Sequence, residues 1–375
     1  MALAYTAPVY TAPVYTGSVV GAGNGGKGSM AALSESSRFR LVAVADIQEE
    51  ARAAARDLYP GIRTYDSHAE MFADCPTDVV CVSTWPPSHL EVTEAALDLP
   101  LRGILVEKPL ADNFSDGRKL LEIVRAQDLP MVVPHGLLVA EHSRQVLARV
   151  RNGDIGQLKL VEIQSDGWDI INAGIHWLNF FVTLTGREPV DYVMAACDVG
   201  TRTYRDNMQV ETLAVTYAHT ASGVRVVMNT GDYVSISEPD ENTLFRLIGT
   251  RGTLDFYGWA PRYRLLNADH PDGRLFEVDP GAATNHQRHL ENLAAEIDRK
   301  QPDYSVAEGS LAALELCEAA YLSCRHGGTT VTLPLDEFSP PPPADWQPGL
   351  PYGGRGGGRD GRRLPRRRGQ PGGLS

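Results

Sequence analysis

Between residues 19 and 133 short apolar runs alternate with helical stretches, and this alternation constrains the fold more than any other feature. Val19-Val20, Leu41–Ala45, Val79–Ser83, Ile104–Val106 and Met131–Val133 are near-continuous apolar runs, the pattern of strands buried on both faces of a parallel sheet. Helical segments at Met30–Ser36, Glu49–Leu58, Leu90–Leu97 and Ser115–Gln127 separate them. Each helix serves as the crossover that brings the next strand in parallel. The reading is α/β, opening with a doubly wound parallel sheet, a Rossmann domain.

A glycine loop lies where such a sheet binds nucleotides. Gly21-Ala22-Gly23-Asn24-Gly25-Gly26 satisfies G-x-G-x-x-G between the first strand and the first helix. The first glycine permits a tight turn, the second lets backbone approach a pyrophosphate, and the third lets helix pack on strand. The helix N-terminus then attracts the negative charge. Twenty residues after Gly26, Asp46 closes the second strand, where a carboxylate accepts ribose hydroxyls and repels a 2′-phosphate. An ordinary N-cap aspartate is the competing reading. No arginine follows Asp46 directly, so the expected cofactor is NAD, with NADP less favoured.

Near residue 137 the grammar changes. A helix at 141–151 and the turn Asn152–Gly156 lead to strand candidates at 158–166, 190–198, 210–219, 223–231, 243–249 and 253–257. Helices are expected near 176–185, 286–300 and 306–325. Adjacent strands joined by turns such as Ala221-Ser222-Gly223 point to a mainly antiparallel sheet covered by helices. The expected organisation is a leader over 1–16, a nucleotide domain over 17–136, a second α/β domain over 137–338 and a tail over 339–375. The leader writes Tyr-Thr-Ala-Pro-Val twice, and half of the last 36 residues are Gly or Pro. The tail lacks the apolar content to offset the entropy of ordering, so disorder is expected there. Pro8 and Pro13 oppose a helix in the leader, which is expected to be extended or disordered with Val14–Val20 feeding the first strand.

Charge and cysteine usage limit the partners. The formal charge is −12, and the last 36 residues carry seven Arg against two Asp, so the body is more acidic than the total. An acidic body argues against nucleic acid as a partner of the domains. No run of about 18 apolar residues suits a bilayer. Five cysteines without C-x-x-C spacing fit a reducing cytoplasm.

Glu107-Lys108-Pro109 stands at the carboxyl end of the fifth strand, where a side chain enters the ligand crevice. The order of Gly21–Gly26, Asp46, Thr84-x-x-x-x-His89 and Glu107-Lys108-Pro109 resembles the Gfo/Idh/MocA oxidoreductases. Asn152–Gly156 and Gly249-Thr250-x-Gly252-Thr253-Leu254 extend the likeness over roughly residues 17–335. The resemblance implies a large open sheet in the second domain, used for substrate and homo-oligomer contacts, and a bound nicotinamide dinucleotide. It also implies sugar, cyclitol or related polyol substrates. Lys108 matches the family's catalytic lysine, and Thr84, Trp85, His89 and Glu107 fall where cofactor contacts are implied. Asn172 and His176 fall on the motif Asp-x-x-x-His, followed by Asn179 where an aspartate is usual. His176 thus matches the catalytic histidine, while both aspartates are asparagine here.

The chemistry implied is hydroxyl oxidation. A general base takes the O–H proton, and a nearby ammonium stabilises the developing alkoxide. His176 suits the first task and Lys108 the second; Asn172 can orient a hydroxyl but cannot take a proton. Trp168 and Asp169 are expected to line the substrate pocket, and His135 to sit beside the nicotinamide. His286-x-x-His289 has helical spacing without a further ligand cluster, so no metal is expected, and His286 or Arg288 is expected to reach substrate. The leading function is an NAD-dependent oxidoreductase acting on a secondary hydroxyl of a sugar or cyclitol. The alternatives are a redox-neutral enzyme with retained NAD, and a non-catalytic NAD-binding sensor or partner protein.

Overall fold

The computed structural model describes residues 14–198, 202–236, 238 and 241–335. The expected disordered tail and all but the end of the expected leader lie outside the described residues. The first sheet is built from β1 (Tyr15–Val20), β2 (Phe39–Ala45), β3 (Arg63–Tyr65), β4 (Val79–Val82), β5 (Gly103–Val106) and β6 (Met131–Val132). Between them run α1 (Asn24–Glu35), α2 (Glu49–Leu58), α3 (His68–Asp74), α4 (His89–Ala96) and α5 (Phe114–Ala126). The order is β3-β2-β1-β4-β5-β6 with every pair parallel. This is the doubly wound sheet that the apolar runs require, and β4 and β5 are buried along their whole length. The direction of winding reverses between β1 and β4, which opens a crevice at their carboxyl ends. Tyr15 and Thr16 already belong to β1, so the strand begins inside the expected leader.

The chain continues through α6 (Gly136–Val139), α7 (Glu141–Arg151), β7 (Leu158–Asp166), α8 (Gly174–Leu184), β8 (Val190–Cys197), β9 (Arg202–Arg205), β10 (Met208–Glu211) and β11 (Leu213–Thr220). It ends with β12 (Arg225–Gly231), β13 (Thr243–Gly249), β14 (Gly252–Phe256), β15 (Arg262–Asn267), β16 (His270–Glu277), α9 (Asn285–Arg299), α10 (Ser305–Arg325) and β17 (Val331–Thr332). Nine strands form one open sheet in the order β16-β15-β14-β13-β7-β12-β11-β8-β17. All its pairs are antiparallel except β7 with β12. Alternate residues of β7 and β13 point inward against α8, where Trp177, Phe180 and Phe181 are fully buried. Phe245 and Phe256 stack at 4.4 Å between ring centroids, and Phe180 meets Phe256 at 5.0 Å.

Strands β3, β9, β15 and β16 were not in the expected pattern, and two further departures bear on the site. The single strand expected over 210–219 is split, because β10 turns back on β9 as a separate hairpin. Its tip, Asp206-Asn207, holds both residues at positive φ (47° and 62°), the mirror-image turn that suits strand twist. The second departure is α9. It follows eight of the nine strands of the second sheet in sequence, yet Leu290, Leu293, Ala294 and Ile297 share a core with Val19, Val44 and Leu105 of the first sheet and Leu33 of α1. Gly103 allows this approach, since a Cβ there would stand 3.0 Å from methyl carbons of both Leu293 and Ile297. The segment expected to serve only the second domain thus completes the first one's core.

Truncating Leu293, which is fully buried, removes this contact. Leu293→Ala should destabilise the fold by about 2–5 kcal/mol. A urea titration followed by fluorescence should show the midpoint fall, and an unchanged midpoint would contradict the placement of α9.

Candidate active site

The glycine loop is shaped by backbone contacts. Gly21 turns the chain out of β1 at φ +92°, and a Cβ there would lie 2.4 Å from the carbonyl oxygen of Ser83 at the end of β4. A Cβ at Gly26 would lie 1.8 Å from the Gly21 carbonyl oxygen, so α1 starts pressed against the loop. Gly23 differs. It is the N-cap of α1, offers no side chain to the first-turn amides, and a Cβ on it would meet nothing within 4 Å. Protein packing therefore does not demand glycine at 23, whereas a pyrophosphate approaching the backbone does.

Asp46 is fixed beside this loop. One carboxylate oxygen accepts the Ala22 amide at 2.7 Å and the other the Gln48 amide at 2.8 Å. The N-cap of α2 is Gln48, so the N-cap reading of Asp46 does not hold. Asp46, Glu50, Asp66 and Glu91 all line this end of a cavity of about 1050 Å³. That volume lies at the upper end of the roughly 300–1,000 Å³ typical of ligand sites. A 2′-phosphate beside Asp46 would meet its carboxylate in a cavity that also carries those of Glu50, Asp66 and Glu91.

The other end of the cavity gathers Lys108, Asn172, His176, Trp168 and Trp259. Lys108 follows β5 and its Nζ donates to the Asn172 carbonyl at 3.1 Å. The side-chain amide of Asn172 is buried, and neither its oxygen nor its nitrogen has a partner among the described residues. Such an amide is costly unless a ligand completes it. Asn179 is also unpartnered, but it sits inside α8 facing Gly309 of α10, away from the cavity. His176 lies in the first turn of α8, edge-on to Trp259 at 5.4 Å.

Three expected contacts are displaced behind the wall. His135 is 1% exposed and does not line the cavity; its Nδ1 lies 3.3 Å from Nδ1 of His176. Asp169 is fully buried, accepting the amides of Ile171 and Asn172 at 3.1 and 2.7 Å and pairing with Arg205 at 3.0 Å. It moulds the loop that presents Asn172 instead of meeting substrate. His89 is also fully buried, with its two ring nitrogens 3.0 Å from the carbonyl oxygens of Pro109 and Thr84, so it straps two loops together. Each is satisfied by protein partners, a backbone group or another side chain, and so is not left open to the cavity. Trp168, Thr84, Trp85, Asn24 and Glu107 do line the cavity.

Sequence reasoning passed over Trp259 and the hairpin tip Arg205-Asp206-Asn207, which also form the wall. The guanidinium of Arg205 stacks over Trp168 at 4.9 Å. A polar Asp-Asn pair between strand-like runs was the available signal for the tip.

His286 enters the wall from the start of α9, whose capping box (Thr284 with Gln287) fixes it. Its Nε2 lies 2.7 Å from the Glu107 carboxylate. Burial alone would lower the His286 pKa, but the hydrogen bond and charge of Glu107 hold it above the ordinary value. Burial would likewise raise Glu107, and the same pairing, with Lys108, holds it low. His289 turns away to the His135 carbonyl at 3.2 Å, and burial pushes its pKa down to about 4. Arg288 is spent on the Val139 carbonyl at 2.9 Å. Among the described residues no group of three or more His, Cys, Asp or Glu is placed to hold a metal ion.

The ion pair has a defined pH window. His286, with a raised folded pKa, contributes fully below its unfolded pKa and loses its contribution as pH rises through the folded one. Glu107, with a lowered folded pKa, loses its contribution only as pH falls through that value. The melting-temperature advantage of wild type over His286→Gln should therefore be greatest near about pH 5–6 and shrink towards about pH 9. A constant difference across that range would contradict the pairing.

Two family descriptions match the chain. An oxidoreductase family with an NAD-binding Rossmann fold covers residues 17–135, and the C-terminal alpha/beta domain of the same family covers 148–333. The rhizopine catabolism protein MocA of Rhizobium meliloti is 28% identical over 192 residues, 47% of this chain and 59% of that protein. The D-apiose dehydrogenase of Paraburkholderia graminis is 25% identical over 334 residues, 80% of this chain and 85% of that protein. For two of the relatives the matched segment spans only 59% and 63% of their length. A crystal structure of an oxidoreductase from Agrobacterium radiobacter, in complex with NAD+, L-tartaric acid and magnesium, superposes with a TM-score of 0.71. It is 21% identical, covering 85% of this chain and 98% of that one.

Proposed function

The chain belongs to the Gfo/Idh/MocA family of oxidoreductases, and from that premise we propose that it is an NAD-dependent dehydrogenase oxidising a secondary hydroxyl of a sugar or cyclitol. One observation carries the reading: a cavity with the glycine loop and Asp46 at one end holds Lys108, Asn172 and His176 at the other. The nicotinamide, when bound, supplies the hydride acceptor. Gly23 and the first turn of α1 would hold its pyrophosphate and Asp46 its ribose, and the acidic adenosine end favours NAD over NADP. Relatives named inositol 2-dehydrogenase and D-apiose dehydrogenase support the substrate class.

The chain's own groups divide the work. The unpartnered amide of Asn172 orients the substrate hydroxyl. His176 removes its proton, and the ammonium of Lys108 stabilises the charge that develops on oxygen. Trp168 and Trp259 offer apolar faces to the C–H side of a ring and keep water from the reacting end. No helix among the described residues is long and apolar enough to cross a membrane, and we place the protein in the cytoplasm. Exposed Met194, Leu213 and Val215 on β8 and β11 lie on the outer face of the nine-stranded sheet, where we place a homo-oligomer contact.

NADH formation over a panel of polyols and pyranosides tests the assignment. Lys108→Ala and His176→Ala should each lower kcat by about 10²–10⁴-fold, and rates equal to wild type would overturn it. The nucleotide preference rests on Asp46. Asp46→Ala should cut the ratio of kcat/KM for NAD over NADP by about tenfold or more, an effect of about 1.4 kcal/mol. An unchanged ratio would remove Asp46 from cofactor selection.

A further inference from the structure

His176 lines the cavity and is met from behind by a second histidine. Its Nδ1 lies 3.3 Å from Nδ1 of His135, and the two rings stand nearly perpendicular at 83°. His135 is itself clamped. Its Nε2 lies 2.8 Å from Ser310 Oγ on α10, its backbone N–H donates to the Val133 carbonyl at 2.7 Å, and its carbonyl faces His289 Nε2 at 3.2 Å. The amides of Asn172 and Asn179 have no hydrogen-bond partner among the described residues, so neither holds the imidazole.

We propose that His135 is a positioning residue for His176: a neutral acceptor for the Nδ1–H of the catalytic imidazole, which leaves the Nε2 of that ring unprotonated. The inference rests on the dehydrogenase reading above. A neutral imidazole carries one donor and one acceptor. When His135 donates from Nε2 to Ser310, its Nδ1 can only accept, and the proton between the two rings must sit on His176. The opposite arrangement would place a proton on the His176 Nε2 and disable it as a base.

His135 stays neutral for a physical reason. Burial first, then the positive charges of His289 and Lys108, push its pKa down to about 3. It therefore orients His176 without stabilising an imidazolium, unlike a carboxylate. The cavity also carries Lys108 beyond β5, Arg205 and Asp206 at the β9–β10 tip and the Glu107–His286 pair, with Asp169 buried beneath the loop, while Lys27, Asp46, Glu50, Asp66, His68 and Glu91 complete its charged and titratable lining.

Three substitutions separate positioning from bulk, because an Asn or Asp Oδ1 occupies the place of a His Nδ1. His135→Leu removes the acceptor and should lower kcat by about 10–100-fold with little change in KM, as loss of an orienting partner does elsewhere. His135→Asn restores a neutral acceptor and should recover most of that loss. His135→Asp adds charge and should move the acid limb of the kcat/KM profile up by about one pH unit or more. Histidine 15N spectra of the full chain with NAD should show His176 as the Nδ1–H tautomer in wild type and in His135→Asn. They should show that state lost in His135→Leu. An Nε2–H tautomer in wild type overturns the proposal. So does a loss of activity that follows melting temperature across all three variants with the acid limb unmoved. Because the spectra need no turnover, the expected tautomer with no polyol oxidised would instead count against the dehydrogenase reading.

Discussion

The structure depends on how closely α1 can start against the ends of β1 and β4. Backbone touches backbone there: Gly26 lies over the Gly21 carbonyl, and Gly21 lies over the Ser83 carbonyl. These contacts fix the helix axis, and the axis fixes where the first-turn amides point. Everything downstream takes its position from that point. Asp46 is tied to the loop through Ala22, and the Glu107 carboxylate packs where a Cβ on Gly25 would lie 2.9 Å away. Lys108, one residue further, is then delivered to the Asn172 carbonyl. A single methyl group at the glycine contact would displace the nucleotide end and the reacting end together.

Much of this was legible because it is written locally. Buried parallel strands need unbroken apolar runs, so β2, β4 and β5 were visible to within one or two residues. The open sheet was visible through its alternation, and the glycine loop through its fixed spacing. What escaped was set by distant partners. β15 and the edge strand β16 carry charged and polar residues among their apolar ones and blur the period. The placement of α9 depends on complementarity between its Leu/Ile stripe and the groove beside Gly103, which no local pattern reports.

The site shows the same division. Lys108, His176 and Asp46 could be placed from motif and strand end. His135 was expected among the ligand contacts from its place at the end of the sixth strand, Asp169 from its place before the histidine motif and His89 from the family resemblance, yet each is buried and spent on backbone or on another side chain. Polar identity signals a demand for partners, and only the fold decides whether protein or ligand meets it. Asn172 is the counterexample, since its demand is left open towards the cavity. Glu211 extends the theme behind the loop. It accepts the Ile170 amide and the Tyr321 hydroxyl, each at 2.7 Å, while burial and then Asp169 push its pKa up to about 8. The loop carrying Asn172 is thus supported by two buried carboxyls, of which Glu211 holds its proton near neutrality.

The return of α9 to the first sheet also governs the order in which the molecule can be made. As the chain leaves the ribosome, the six parallel strands appear first, but the leucine stripe that seals one side of them is encoded more than 150 residues later. During synthesis the nucleotide-binding half must wait with an open flank while the nine-stranded sheet forms. Contacts of such sequence separation are slow to close, and the waiting surface is apolar. The protein is therefore two sheets in architecture and one unit in biogenesis, and its first half should need its last quarter to become stable.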